Sequence, residues 1–576
     1  MKKVNFFNYI LMFASTILLA TSCFKDLDTY PLSNELLLGE DVYKTAEGYR
    51  GALAKCYATL SLTGQTGGDA GNGDVPGIDE GYSGWLRGLF YPQVTSTDEM
   101  AIYAGSSRGS YFIQYLNWTP STELAGYPYY RSIMTIGYCN EFLRQCTESK
   151  LKERDVWDAL KDEYPYFRAE ARMIRAYAYN ILCDLYGSVP FIDETMPLGT
   201  VPHQKTRLEI YDYIVSECEQ LANELKAPGQ NQYGRVDQVT AWFMLARVYL
   251  NAEAWVGVTA YDKAYNYSKK IITDGTYSLA PDYRYIFLAD NRSCKEIIWP
   301  AISDADNAQN SAGTNFFVKA FLDNSSMKPY FNTGLSGSNT WNNAVAKTTF
   351  VNKFAESDQI FDPDDSWGDR KMDKRAQFFT MPPYQKNTWK IDQRFATNTN
   401  GIRDGYAYIK WRNVTKDRQE LKPGGTQYSS VCFPIFRTAD AYLMAAEAIL
   451  RNGGGSRAEA LSYINEIRDR AYMFGSYAKT GINSVDGRIT DAQMTLDFIL
   501  DERCRELASE LIRRTDLIRF GKYTKGYNWD WKGSDNGAVG SYIGQDIDDR
   551  YKLFPIPQNE FTVNPYLTQN PEYKGL

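Results

Sequence analysis

A single histidine, His203, stands in Val201-Pro202-His203-Gln204-Lys205, a proline-bearing stretch that reads as surface loop ahead of a helix. One imidazole rules out a histidine-rich zinc site. A Ser-His-Asp mechanism would have to use it, and no nucleophile motif surrounds it. Carboxylates are plentiful, with 70 Asp and Glu in 576 residues. A glycosidase needs two of them about 5 to 9.5 Å apart, but no spacing singles out a pair, so catalysis is not expected. The most acidic loop, Asp362-Pro363-Asp364-Asp365-Ser366-Trp367-Gly368-Asp369, carries Trp367 where the sixth position of an EF-hand requires glycine. It leaves room for a weak calcium site at most, and no cofactor is expected. Beyond Cys23, the cysteines form no C-x-x-C pair and sit mostly on apolar, helix-like patterns, as small buried hydrophobes do. What the chain does have in quantity is aromatic surface: 44 Tyr, 28 Phe and 12 Trp. Tyrosine offers a flat face with a polar tip, suited to half-wet surfaces and ligand clefts.

The first residues have a chemistry of their own. Lys2 and Lys3 precede an apolar run from Phe6 to Ala20, and the small residues Ala20, Thr21 and Ser22 lead into Cys23. Basic start, short apolar segment and small residues before a cut are the layout of an export signal. The run is too short for a confident membrane span, which takes about 20 apolar residues. A cysteine at the cut resembles the lipobox of bacterial lipoproteins, in which Cys23 would be acylated and become the mature N-terminus. Several acyl chains anchor a protein stably where one is marginal. The rest of the chain has no comparably long apolar segment. The net charge of −7, more negative still once Lys2 and Lys3 leave, argues against nucleic acid or anionic lipid as the main partner.

The elements that must position any site are mainly helical. Phe167, Ala171, Ile174, Ala178, Leu182 and Leu185 recur at helical spacing and stop at Gly187. Similar stripes begin at Val239, Tyr442 and Leu461, and a longer one from Leu496 through Ile518 ends at Gly521. Weaker helical signals cover 41–62, 127–149, 206–226 and 259–274. Adjacent helices joined by short loops are what tetratricopeptide-type pairs look like, although no clean 34-residue period is present. Two stretches lack helical rhythm: 63–125, opening with a Gly-rich loop, and 276–432, rich in Asn, Asp, Gly, Pro and aromatics with short strand-like runs. Long ordered loops on a rigid scaffold tend to carry function. The expected divisions are a leader (1–22), a tether (23–40), an N-terminal helical region (41–275) interrupted by 63–125, a loop-rich binding region (276–432), a C-terminal helical region (433–525) and an extended tail (526–576).

Several motifs, in order, resemble the SusD/RagB family of outer-membrane nutrient-binding lipoproteins. They are Cys23 to Pro31 with its Leu27-Asp28 element; Ala169-Glu170-Ala171 to Tyr179, closing at Leu185-Tyr186-Gly187-Ser188-Val189-Pro190; Arg437 to Ala448; Glu502-Arg503-Cys504-Arg505-Glu506-Leu507 with Asp516 to Gly521; and Pro555-Ile556-Pro557 with Asn564 to Pro571. The chain departs from the pattern at Leu511-Ile512, where glycine or aspartate often follows the glutamate. The resemblance implies a mainly α fold, a superhelical scaffold of tetratricopeptide-like pairs packed against a loop-rich irregular region with a few short strands. It also implies a cell-surface lipoprotein that captures oligosaccharide or polysaccharide and hands it to a SusC-like TonB-dependent transporter. Alternatives are a peptide-binding member and a structural lid with little binding of its own. Most of the motifs read as scaffold: Glu502 with Arg505 and Asp516 with Arg519 are spaced to pair along a helix.

Sugar recognition uses aromatic faces against ring C–H groups, with amide, guanidinium and carboxylate groups bonding the hydroxyls. The aromatic candidates in the irregular stretches are Tyr82, Trp85, Trp118, Trp341 and Trp367, with Arg87, Asp98, Asn315 and Asn342 as polar partners. Trp85 and Trp341 form the preferred pair, each in a stretch that looks too polar to bury an indole.

Overall fold

In the computed structural model, the described residues are 39–64, 73–102, 107–321, 332–336, 341, 344–359, 362, 364–379, 406–473, 487–534 and 544–573. The leader, Cys23 and Asn342 lie outside them. The chain is mainly helical, 50% helix against 7% strand.

The helices form a continuous array. Glu123–Gln145 packs on Tyr164–Leu185, which packs on Arg207–Glu224, then Gln238–Val256, then Tyr261–Asp274. From there the array passes across the irregular stretch to Thr438–Leu450 and Arg457–Ala471. Local chemistry fixes the ends. Thr206 and Glu209 close a capping box at one start, and Asp237 accepts from the Val239 and Thr240 amides at another. Gly257 and Gly275 end their helices in the left-handed region, at φ 72° and 74°. The stripe read on 164–185 is buried throughout, from Phe167 to Leu185.

The irregular stretches contain more regular structure than their sequence suggests. Region 63–125 holds helical segments Trp85–Phe90 and Ser110–Tyr115, and 276–432 holds the helix Thr314–Ala320. Among the described residues the strands pair antiparallel in twos. Met100–Ile102 pairs with Ala344–Ala346, Ile297–Ala301 with Phe433–Arg437, Val189–Pro190 with Gln204–Lys205, and Phe378–Phe379 with Ala407–Tyr408. The first two pairs tie the loops to each other and to the array. The tail from Leu553 is anchored rather than merely draped: Phe554, Ile556 and Tyr573 are buried.

The long helix expected over 496–518 is two helices, Leu496–Leu507 and Arg513–Arg519. Side-chain ties at the break hold it open. The Ser509 amide donates to the Glu99 carboxylate at 3.0 Å, and Trp411 donates to the Ser509 hydroxyl at 3.1 Å. Lys410 donates to the Ala508 carbonyl and to Glu510. Ser509 and Leu511 adopt φ of 58° and 65°. Leu511, where the family pattern often has glycine, thus occupies a conformation that favours glycine.

The signature motifs build a buried ionic lattice. Arg437 pairs with Glu296, Glu506 and Glu510 at 2.6 to 2.7 Å. Arg375 reaches Asp373, Glu502 and Glu506, and Arg503 joins Asp440 to Asp516 at 2.8 Å each. Glu502–Arg505 and Asp516–Arg519 pair along their helices at 2.6 and 2.7 Å. Adjoining guanidiniums lower Asp440 and Glu506 to about 2 despite burial. Since removing one partner strands the other without water, the lattice locks elements far apart in sequence into one arrangement.

Candidate ligand-binding site

Gly84 lets the 85–90 helix approach the 310–313 segment. A Cβ there would lie 2.4 Å from Ala312 Cβ, and the Arg87 amide donates to the Ala312 carbonyl at 3.0 Å. That contact aims Arg87 into an aromatic group drawn from both irregular stretches. Its guanidinium lies 3.7 Å from the Tyr82 ring centre, 5.0 Å from Phe316 and 5.2 Å from Trp341. Nη1 donates to the Gly81 carbonyl at 2.7 Å, which fixes its orientation. Trp341 is held by its own amide on the Lys319 carbonyl at 3.0 Å, with its ring 6.0 Å from Phe316. The Lys319 ammonium lies 5.6 Å from the Trp341 ring and 5.5 Å from Tyr428. Arg108 also approaches the Tyr82 ring, at 5.1 Å, and bonds Tyr127 and Glu123.

Tyr82 and Trp341 are partly buried, whereas Arg87 is 8% exposed. The arrangement sets cationic side chains over aromatic rings, two of which remain partly exposed. It carries no nucleophile–base pair.

The candidate residues therefore separate. Tyr82, Arg87 and Trp341 come together. Trp85 does not join them: the polar stretch buries it after all, 3% exposed and stacked on Tyr177 at 5.4 Å, because the residues around it form a helix whose inner face it occupies. Trp118 is a core residue, stacked on Phe554 at 4.2 Å and donating to the Tyr573 hydroxyl at 2.8 Å. Asp98 is fully buried in a bidentate bond to Arg513, 2.7 Å on each oxygen, and accepts from Tyr527. Arg513 and these bonds pull its carboxyl well below the usual range against the opposing effect of burial. Asn315 is buried beside Phe316, its Oδ1 accepting from the Ser429 amide at 3.2 Å. Trp367 is half-buried between Arg412 and Arg418, 4.6 and 4.8 Å from its ring, in a separate cluster. The neighbouring carboxylates are engaged: Asp365 accepts from the Asp369 and Arg370 amides, and Asp362 pairs with Arg370. Among the described residues no group of three His, Cys, Asp or Glu side chains is placed to hold a metal ion, and no helix is long and apolar enough to cross a membrane. The described cysteines are free thiols.

Phe316, Lys319, Tyr428 and Arg108 were not legible as site residues. Phe316 and Lys319 share a helical face at i,i+3 spacing, a signal masked by the shortness of that helix.

Comparison with known proteins places the chain among relatives of one family. The profile of the SusD family matches residues 295–573. The starch-binding protein SusD of Bacteroides thetaiotaomicron is 30% identical over 587 aligned positions, covering 96% of each chain. SusD-like protein P25 of Formosa agariphila is 25% identical over 72% of this chain and 74% of its own. Among solved structures, surface glycan-binding protein A from Bacteroides uniformis superposes with a TM-score of 0.65 at 21% identity, over 92% of this chain and all of that one. Its counterpart from Bacteroides thetaiotaomicron, in complex with laminarihexaose, gives 0.60 at 19% identity over 91% and 99%. Those structural likenesses establish the fold, and the full-length sequence match establishes the kinship. With its match along nearly the whole length of a known member, this chain belongs to the SusD/RagB family.

Proposed function

We propose that this protein is a cell-surface glycan-binding lipoprotein, anchored through Cys23, that captures an oligosaccharide on the Tyr82–Arg87–Trp341 cluster and passes it to a SusC-like TonB-dependent transporter. The observation carrying the reading is the pair of partly exposed rings, Tyr82 and Trp341, bridged by one buried guanidinium. A sugar ring laid against the exposed part of Tyr82 or Trp341 buries its C–H surface, with the Arg87 guanidinium between the two rings as a donor to hydroxyls. Relatives named for starch binding and for surface glycan binding support the ligand class. The signal layout at residues 1–23 supports export and the anchor.

Calorimetric titration against maltooligosaccharides, laminarihexaose and mixed peptides tests the proposal. Saturable binding to a glycan is expected, weakened about tenfold or more, or ~1.4 kcal/mol, in Trp341→Ala and in Arg87→Ala. Binding to peptides alone, or glycan binding indifferent to both substitutions, overturns it. Co-purification of a large outer-membrane partner tests the transporter assignment.

A further inference from the structure

A separate cavity of about 360 Å3 shares no lining residue with the aromatic cluster. Its walls are Leu53 and Tyr57 from the 46–58 helix, Phe167 at the start of the 164–185 helix, Tyr233, Pro300 and Ile302. The loop carrying Tyr233 is built tightly onto the strand end. Gly234 sits at φ 86°, and an added Cβ would lie 2.8 Å from Ile302 Cδ1.

Every charge at this cavity is already matched. Arg50 pairs with Glu163 at 2.5 Å and with Glu47 at 3.1 Å. Arg235 pairs with the fully buried Glu170 at 2.6 Å, and the Tyr57 hydroxyl donates to the same carboxylate. An ionic ligand would have to break one of these pairs, so a neutral one is favoured. Gln232, exposed at the rim, offers an amide donor and acceptor. Size narrows the choice. An apolar cavity of about 150 Å3 stays dry and binds benzene, so one a little over twice as large suits a two-ring system, and it falls within the usual range of ligand pockets. The rings of Tyr57, Phe167 and Tyr233 favour aromatic surface.

We propose that this cavity is a second ligand site, for an uncharged aromatic molecule of two-ring size with one hydrogen-bonding edge. Indole and 2-naphthol serve as test ligands, with indole-3-acetate and tryptamine as charged counterparts, followed by ligand-observed NMR and calorimetry. Ala54 lines the cavity yet is exposed, so Ala54→Trp can fill the mouth without repacking the core. Saturable binding of the neutral ligands is expected, weakened about tenfold or more in Ala54→Trp, unchanged in Trp341→Ala, and weaker for both charged analogues. Absence of saturation up to about 1 mM overturns the proposal. So does binding that survives Ala54→Trp and disappears in Trp341→Ala, which would place the ligand on the glycan cluster. Because Trp341→Ala tests only that cluster, failure of one site is distinguishable from failure of the other.

Discussion

Two tryptophans of similar sequence context differ in burial. Trp85 is enclosed and stacked on Tyr177, whereas Trp341 rests against Phe316 and Arg87 with part of its surface open. Truncating Trp85 removes a buried indole and leaves a cavity, so Trp85→Ala is expected to cost about 3–5 kcal/mol of stability, measured by denaturant unfolding. Trp341→Ala is expected to cost less than about 1 kcal/mol while weakening glycan binding. If both variants lose binding only in proportion to unfolded protein, Trp341 is a packing residue and the site lies elsewhere. Although Tyr82 and Arg87 lie on short helices rather than loops, composition and motif reading reach the aromatic character and single out Arg87, Tyr82 and Trp341. They cannot tell an enclosed indole from an open one, because that depends on which face of a short helix meets the array.

At the level of elements, the break at 508–512 is the most consequential departure from simple periodicity. Helix-compatible residues run through it, yet Asp98–Arg513, Glu99–Ser509 and Lys410–Glu510 draw the chain into a turn. Each tie joins the 496–519 segment to a residue from an irregular stretch, so the turn also fixes where those stretches sit. Arg513→Ala would leave Asp98 buried without its partner, and a loss of about 3–5 kcal/mol is expected. Arg513→Lys should recover only part, since one ammonium cannot replace a bidentate fork. A loss of stability no greater than for an exposed arginine would show that the tie does not organise the turn.

For the whole molecule, the lowered carboxyls make one contribution to the response to acid. Asp440 and Glu506 have folded-state values near 2, and Asp98 and Glu502 are also lowered, whereas unfolded carboxyls titrate at about 3.9 to 4.3. The unfolded chain therefore takes up protons first as pH falls. Stability from these groups is complete above the unfolded values and is lost progressively between about pH 4.5 and pH 2. Thermal unfolding followed by circular dichroism across that window should show a steep fall in Tm, reduced in Glu506→Gln after allowing for its lower starting stability. A flat profile would mean that the lattice carboxylates are not ionised when folded.

By itself the sequence determined the class of the molecule and much of its framework. The 164–185 stripe, the capped helices after Thr206 and Asp237, and the pairing of Glu502 with Arg505 and Asp516 with Arg519 are all short-range, and spacing along one chain is enough to specify them. The ordered motifs from Leu185 to Pro571 identified the family for the same reason. Only the tertiary structure decided that Tyr82, Arg87 and Trp341 meet, that Trp85, Trp118 and Asp98 do not join them, and that the 496–518 stripe breaks. Those outcomes rest largely on contacts between residues distant along the chain, such as Arg87 with Trp341 and Asp98 with Arg513. Local periodicity carries no information about which distant surfaces will pack, because that choice is made by the burial and charge pairing of the whole chain at once.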